Sequence, residues 1–359
     1  MQSVAILLAS AARGNLDEVQ ALLEQGQDVN SPGEHGRTAL MMSAATGSSI
    51  EVLEALLDAG ADMDRQDEGG WTAVMAASNE GHETIAEKLI SRGADITITK
   101  PNGFNCLHAA AKVGQVEIAK MLVSKGMDVN ATTEHGFSPL LTAAVGQQVP
   151  MLQFLLEHGA KVDHAQFEGY TSLMIIAERG SVDALNALIS KGANLDSKRD
   201  DGMTALMLAL SKGLGDAADV IIRAGADIHI VDDEGWTALM IAASRGQKSA
   251  VDALVEMGAD VTAMRESGYT MLIAAAGGGL VDLVKLCLKK GTDVNATDHE
   301  KASAIIYAAE NGHAKVCQIL VDNGADTSVK DHNGETALDC AKKRSHQDVI
   351  EILSKHEKS

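Results

Sequence analysis

Asp232–Asp260 reads DDEGWTALMIAASRGQKSAVDALVEMGAD. Asp233-Glu234-Gly235 is a tight turn, and Thr237 follows it as a helix-capping residue whose hydroxyl can accept the N–H groups that open the next helix. Leu239, Ala242 and Ala243 then share one helical face, and Gly246 offers the left-handed conformation that stops the helix. A second amphipathic helix places Val251, Leu254 and Val255 at i, i+3 and i+4 and stops at Gly258. Each helix is shorter than the ~12–15 residues at which an isolated helix becomes marginally stable in water. The unit therefore needs neighbours.

Those neighbours are the rest of the chain. Thr38, Thr72, Asn105, Ser138, Thr171, Thr204, Thr237, Thr270, Ser303 and Thr336 recur every 33 residues after one 34-residue step. Twelve residues before each stands a glycine: Gly26, Gly60, Gly93, Gly126, Gly159, Gly192, Gly225, Gly258, Gly291 and Gly324. A fixed period of this length marks one supersecondary unit copied along a solenoid, with stacking supplying the core. The chain reads as a single array over 1–359, with an N-terminal capping repeat at 1–32, internal repeats over 33–331 and a C-terminal capping repeat at 332–359. At the last unit Ser345 replaces the helix-ending glycine, and Lys342, Lys343 and Arg344 crowd the final turns. Gln147 makes the same replacement in the fifth unit, and Pro150 falls at the start of its second helix, where proline loses no donor.

The pattern resembles the ankyrin repeat, whose signature includes D-x-x-G-x-T-P-L-H-x-A-A-x-x-G and a closing G-A-D-V-N. The resemblance implies an all-α fold, an ankyrin-repeat solenoid of stacked helix-turn-helix units with β-hairpin turns and a concave groove. It also implies a protein-binding scaffold that uses the hairpin tips and the first-helix, concave side. The family's proline occurs only at Pro139 and its histidine only at His108, which the resemblance expects to bond within its own turn. Elsewhere that position is Met41, Met75, Leu141, Met174, Met207, Met240, Ile273, Ile306 or Asp339, a change from hydrogen bonding to packing. Asn30 and Asn130, each with a leucine eight residues earlier, resemble ankyrin sites of asparaginyl hydroxylation.

A net charge of −20 disfavours nucleic acid and acidic membrane and favours a monomer with a basic or neutral partner. Cys106, Cys287, Cys317 and Cys340 lie in different repeats without metal-ligand spacing, which suits buried thiols in a reducing compartment. With no stretch of the roughly 18 apolar residues that a spanning helix needs, the chain is expected to be cytoplasmic, with a nuclear location also open. The histidines converge on no metal site, and no cofactor is expected. Gly277-Gly278-Gly279 lacks the lysine and hydroxyl of a phosphate loop and reads as a notch free of side chains. No nucleophile, base and acid can be placed in one pocket, so catalysis is not expected.

The residue before each recurring threonine is expected to face the groove. That column includes Trp71, Phe104, Phe137, Tyr170, Met203, Trp236 and Tyr269, and holds six of the nine aromatic residues of the chain. Acids at the neighbouring tips include Glu68, Glu134, Glu168, Asp201, Glu234 and Glu266. Rings beside carboxylates suit a lysine or arginine of a partner protein, although such rings can equally serve to pack one hairpin on the next. The expected function is a non-enzymatic scaffold that binds a basic segment. The alternatives are a regulatory or inhibitory subunit that uses the same surface, and a small-ligand receptor, which the negative tips disfavour for phosphates.

Overall fold

The computed structural model describes residues 2–356, and these form pairs of antiparallel helices throughout. By contact, the chain divides into two compact units: Met1–Ile176 with Asn186–Ala193, and Ala177–Leu185 with Asn194–Ser359. Within each unit the hairpins stack as a solenoid of helical repeats. In the first, the helices Ala39–Thr46, Ala73–Glu80, Cys106–Val113 and Pro139–Val145 pack in sequence. In the second, Ala205–Ser211, Ala238–Ser244, Met271–Gly277, Ala304–Glu310 and Ala337–Arg344 do the same. Strand structure among the described residues is limited to isolated bridges in the hairpins, Ala165 to Thr171, Val231 to Thr237, Met264 to Thr270 and Thr297 to Ser303.

The quoted repeat shows why these helices form. Thr237 accepts from the Met240 N–H at 3.1 Å, and equivalent caps occur at Thr38, Thr72, Asn105, Ser138, Thr171, Thr204, Thr270 and Thr336. Ser303 is the exception: its buried hydroxyl has no partner among the described residues. The first helix is buried along almost its whole length, Ala238 to Ala243, because another first helix lies on either side. The second helix buries only Ala250, Val251 and Leu254. Short, alanine-rich first helices thus act as the spine, and amphipathic second helices cover it. Met41, Met75, Met174, Met207 and Met240 are all buried, which fits packing in place of the histidine's hydrogen bonds.

The recurring glycine before each turn has positive φ in every repeat, and a Cβ there would meet nothing within 4 Å. Conformation, not space, fixes that column. Gln147 (φ 56) and Ser345 (φ 62) hold the left-handed helix-end position without glycine, at a modest cost in strain.

Contrary to the expectation from sequence, the Gly277–Gly279 stretch is not a notch, because neighbouring repeats close onto it. A Cβ on Gly278 would overlap the carbonyl oxygen of Ala243 in the preceding repeat and come within 2.9 Å of the Gly246 nitrogen. A Cβ on Gly279 would meet the His313 ring of the next repeat at 2.6 Å. At Gly278 the missing side chain lets the backbones of neighbouring repeats touch, and at Gly279 it leaves room for the His313 ring.

His108 ties two repeats together. It is fully buried, its Nε2 donates to the Phe137 carbonyl at 3.0 Å, and its Nδ1 faces the Asn105 backbone N–H at 3.4 Å in a capping box. It therefore bonds within its own turn and also beyond it. Burial pulls its pKa below the ordinary 6.5, opposed by the bond to Phe137. On acidification the unfolded chain takes up a proton at that site before the folded chain does, so stability falls as pH drops through about 6.5 until the folded pKa is passed. Denaturant midpoints measured between pH 7.5 and 5 should fall more steeply for the wild type than for His108→Gln, which retains an N3 partner for the cap but does not titrate. Parallel slopes would contradict the assignment.

Candidate functional site: the rings and acids beside the hairpins

Trp71, Phe104, Phe137, Tyr170, Met203, Trp236 and Tyr269 are all half-buried, and none is hidden from solvent. In the first unit Trp71 packs edge-on against Phe104 with centroids 6.0 Å apart. In the second, Trp236 lies 5.2 Å from Tyr269, which meets Tyr307 edge-on at 5.7 Å. Trp71, Phe104, Trp236 and Tyr269 thus each pack against a neighbouring ring and still present area to solvent. Tyr307 was not legible as part of the set because it arises from a helix, Ala304–Glu310, four residues after the recurring position. It sits where the column offers only Ala302. Its hydroxyl donates to the buried Asp298 carboxylate at 2.8 Å. Burial and the nearby Asp298 push the Tyr269 phenol up to about 12, so it stays neutral.

The chain places cations of its own on the two tryptophan rings. Lys100 lies 4.7 Å from the Trp71 ring centroid and 5.6 Å from that of Phe104. Arg265 lies 4.3 Å from the Trp236 ring and donates to the Glu234 carboxylate at 2.9 Å. Both stand five residues before the recurring threonine. In that column Asp67, Asp232, Asp298 and Asp331 instead accept the backbone N–H groups of their own tips. A basic residue there gives up that turn bond and reaches back to the preceding repeat, where a cation over an indole contributes about 0.5–2 kcal/mol. Arg199, the third basic residue of the column, instead pairs with Asp201 in its own tip and holds that carboxyl below the usual range through the side-chain hydrogen bond.

This exchange also alters the tips. His35, Asn102, His135, Asp201, Ser267 and Glu300 each offer a carbonyl to an N–H of the following tip. At Glu234 the carbonyl accepts from Arg265 Nε instead, at 2.9 Å. At the tip after Trp71 the residue in the donor position is Pro101, which has no N–H to give. Each tryptophan thus sits beside a tip-to-tip link that is missing or replaced.

The acids Glu68, Glu134, Glu168, Asp201, Glu234 and Glu266 are exposed. Glu68 lies 3.7 Å from His35, while Glu134, Glu168 and Glu266 have no ion pair among the described residues. Between Glu134 and Glu168 the Phe167 ring is 71% exposed, edge-on to His135. Phe167 lies outside the expected column, at a tip position that is otherwise polar apart from Pro101.

Asn30 and Asn130 have structural roles. Each side chain accepts from the next repeat, at Asp62 and Lys161, and donates to a carbonyl there, at Gly60 and Gly159. Asn295 repeats the arrangement with Asp326 and Gly324. His82, His313 and His346, all ten residues after the recurring position, bond to carbonyls of the preceding repeat at 3.3, 3.0 and 2.9 Å. The shared offset was the signal for that role. All four cysteines are buried and free. Burial pushes Cys106, Cys287 and Cys317 up to about 12 and Cys340 up to about 11, which removes the thiolate at neutral pH. Asp331, Glu335 and Cys340 gather donor atoms within 4.8 Å of one another, but Asp331 caps its tip and Glu335 holds Lys343 at 2.8 Å. No helix among the described residues is long and apolar enough to cross a membrane.

A turn, a buried short helix and an amphipathic helix, repeated with capped starts and left-handed ends, define an ankyrin array, and the chain belongs to the ankyrin repeat family. The family model, three ankyrin copies in length, matches residues 6–100, 75–166, 163–232, 212–298 and 271–359. The crystal structure of the human ASB11 ankyrin repeat domain is similar at 26% sequence identity and a TM-score of 0.54, over 62% of this chain and 98% of that one. No curated protein matches the chain. Ankyrin repeats are in general protein–protein interaction modules.

Proposed function

We propose that this chain is a non-enzymatic interaction scaffold that binds a basic segment of another protein on the hairpin and first-helix side. Two stretches would serve, Trp71 to Tyr170 in the first unit and Met203 to Tyr269 in the second. One observation carries the reading: all seven column residues keep solvent-accessible area beside exposed carboxylates, three of which, Glu134, Glu168 and Glu266, lack an ion pair among the described residues. Half-buried rings are pre-ordered by their neighbours, so a partner covering them loses little side-chain entropy. Unpaired carboxylates draw in a cation over longer range. Lys100 and Arg265 support the same chemistry, since the chain itself places a cation on each tryptophan.

Screening tests the electrostatic half. Partners captured from a lysate at low ionic strength should be basic in the bound segment, and their affinity should fall steeply as the Debye length shrinks from about 10 Å at 0.1 M to about 3 Å at 1 M salt. Glu134→Gln with Glu168→Gln should lower that salt dependence. An affinity unchanged from low to high salt would sink the basic-partner reading.

A further inference from the structure

In the second unit a cavity of about 300 Å³ opens between two successive repeats on the side of Trp236 that faces Met203. Trp236, Met203 and Ile241 line its apolar part, and Asp201, Asp232, Glu234 and Arg245, with the Ser211 and Ser244 hydroxyls, line its polar part. Arg265 is absent from that lining although it lies 4.3 Å from the same indole. We propose that this cavity is a binding site for an arginine side chain of the partner protein, a proposal that rests on the scaffold reading above.

The chain supplies a precedent for the occupant. Arg265 sets a guanidinium over Trp236 and against Glu234, the geometry that a planar, delocalised cation adopts on an indole flanked by carboxylate. The cavity is lined by the same indole and the same glutamate. Its three carboxylates are not equally available. Asp201 is held by Arg199, and Glu234 shares Arg265. Asp232 uses Oδ1 for the Glu234 and Trp236 N–H groups at 3.0 and 2.8 Å, and its Oδ2 has no partner among the described residues. Half-burial of Asp232 raises its carboxyl above the usual range, so an arriving cation would relieve a desolvated charge. Arg245, exposed, also lines the cavity, so an arriving guanidinium has to sit on the indole and Asp232 side, away from that like charge. Arginine suits the site better than lysine because the guanidinium can stack on the ring while donating in its plane to Asp232.

The test uses the full-length protein carrying Trp71→Phe, which leaves Trp236 as the sole tryptophan. Acetyl-Gly-Arg-Gly-amide is titrated in while Trp236 emission is followed, alongside the lysine and citrulline counterparts. The arginine peptide should bind saturably and at least about ten-fold more tightly than the citrulline peptide. Asp232→Asn keeps an oxygen for the two turn N–H groups and should abolish that discrimination. Ser211→Leu, which narrows the cavity from the neighbouring helix, should weaken the arginine peptide by a similar factor. Equal response to arginine and citrulline, or discrimination that survives in both variants, overturns the assignment. A Trp236→Phe protein reports from Trp71 instead. Arginine binding seen there while Trp236 stays silent would refute the cavity and leave the scaffold reading intact; silence at both tryptophans would count against both.

Discussion

Gly278→Ala should destabilise the second unit by about 3 kcal/mol, while Gly277→Ala, one residue earlier, should stabilise it by about 0.5–1 kcal/mol. Gly277 closes the helix Met271–Gly277, and a Cβ there would make ordinary contact with Tyr307 Cβ at 3.7 Å and Asn311 Nδ2 at 3.8 Å. Alanine would then only reduce the freedom of the unfolded chain. At Gly278 the obstacle is a backbone carbonyl, that of Ala243, which already accepts the Gly246 N–H at 2.9 Å. A carbonyl fixed in a helix end cannot turn aside as a side chain could, so the two repeats must separate. Separation removes buried contact along the first helices on both sides, where Ala242, Ala243, Ala274 and Ala275 are fully buried. Denaturant midpoints of the two variants, measured side by side, check the pair. Two shifts of the same sign would mean that the close approach of these repeats is wrong.

The same glycines show where the sequence is readable and where it is not. The period, the capping column and the left-handed glycine column depend on local backbone preference, so they are visible in one repeat and confirmed by the next. Gly278 depends on what lies across an interface, at Ala243, and a run of three glycines carries no mark of that. The cations follow the same logic. Lys100 and Arg265 occupy a column whose four aspartates cap their own tips, but their targets, Trp71 and Trp236, are 29 residues earlier in each case. Only stacking brings them together. The column of rings was legible as a column. Its internal pairing, its extension to Tyr307 and the exposure of Phe167 were not, since each is set by the neighbouring repeat.

Replacing both Trp71 and Trp236 by alanine should cost several kcal/mol of partner affinity. Each indole is large, half-buried and held in place, by Phe104 and Lys100 in one unit and by Tyr269 and Arg265 in the other. Anchors of this kind typically account for 2 kcal/mol or more each when truncated at an interface. The loss to folding should be smaller, because the part of each ring turned to solvent contributes nothing to the core, and the core itself lies in the first helices and the covered faces of the second. A role in packing alone makes the reverse statement: the rings would matter to the fold and not to the partner.

That contrast is decided by measuring, on the same Trp71→Ala/Trp236→Ala protein, the Kd for a captured partner and the denaturant midpoint. A Kd weakened by about a hundred-fold or more with a midpoint close to that of the wild type is the predicted result. A midpoint that falls in step with the affinity, or a Kd that does not move, would contradict the assignment of these rings as the contact surface.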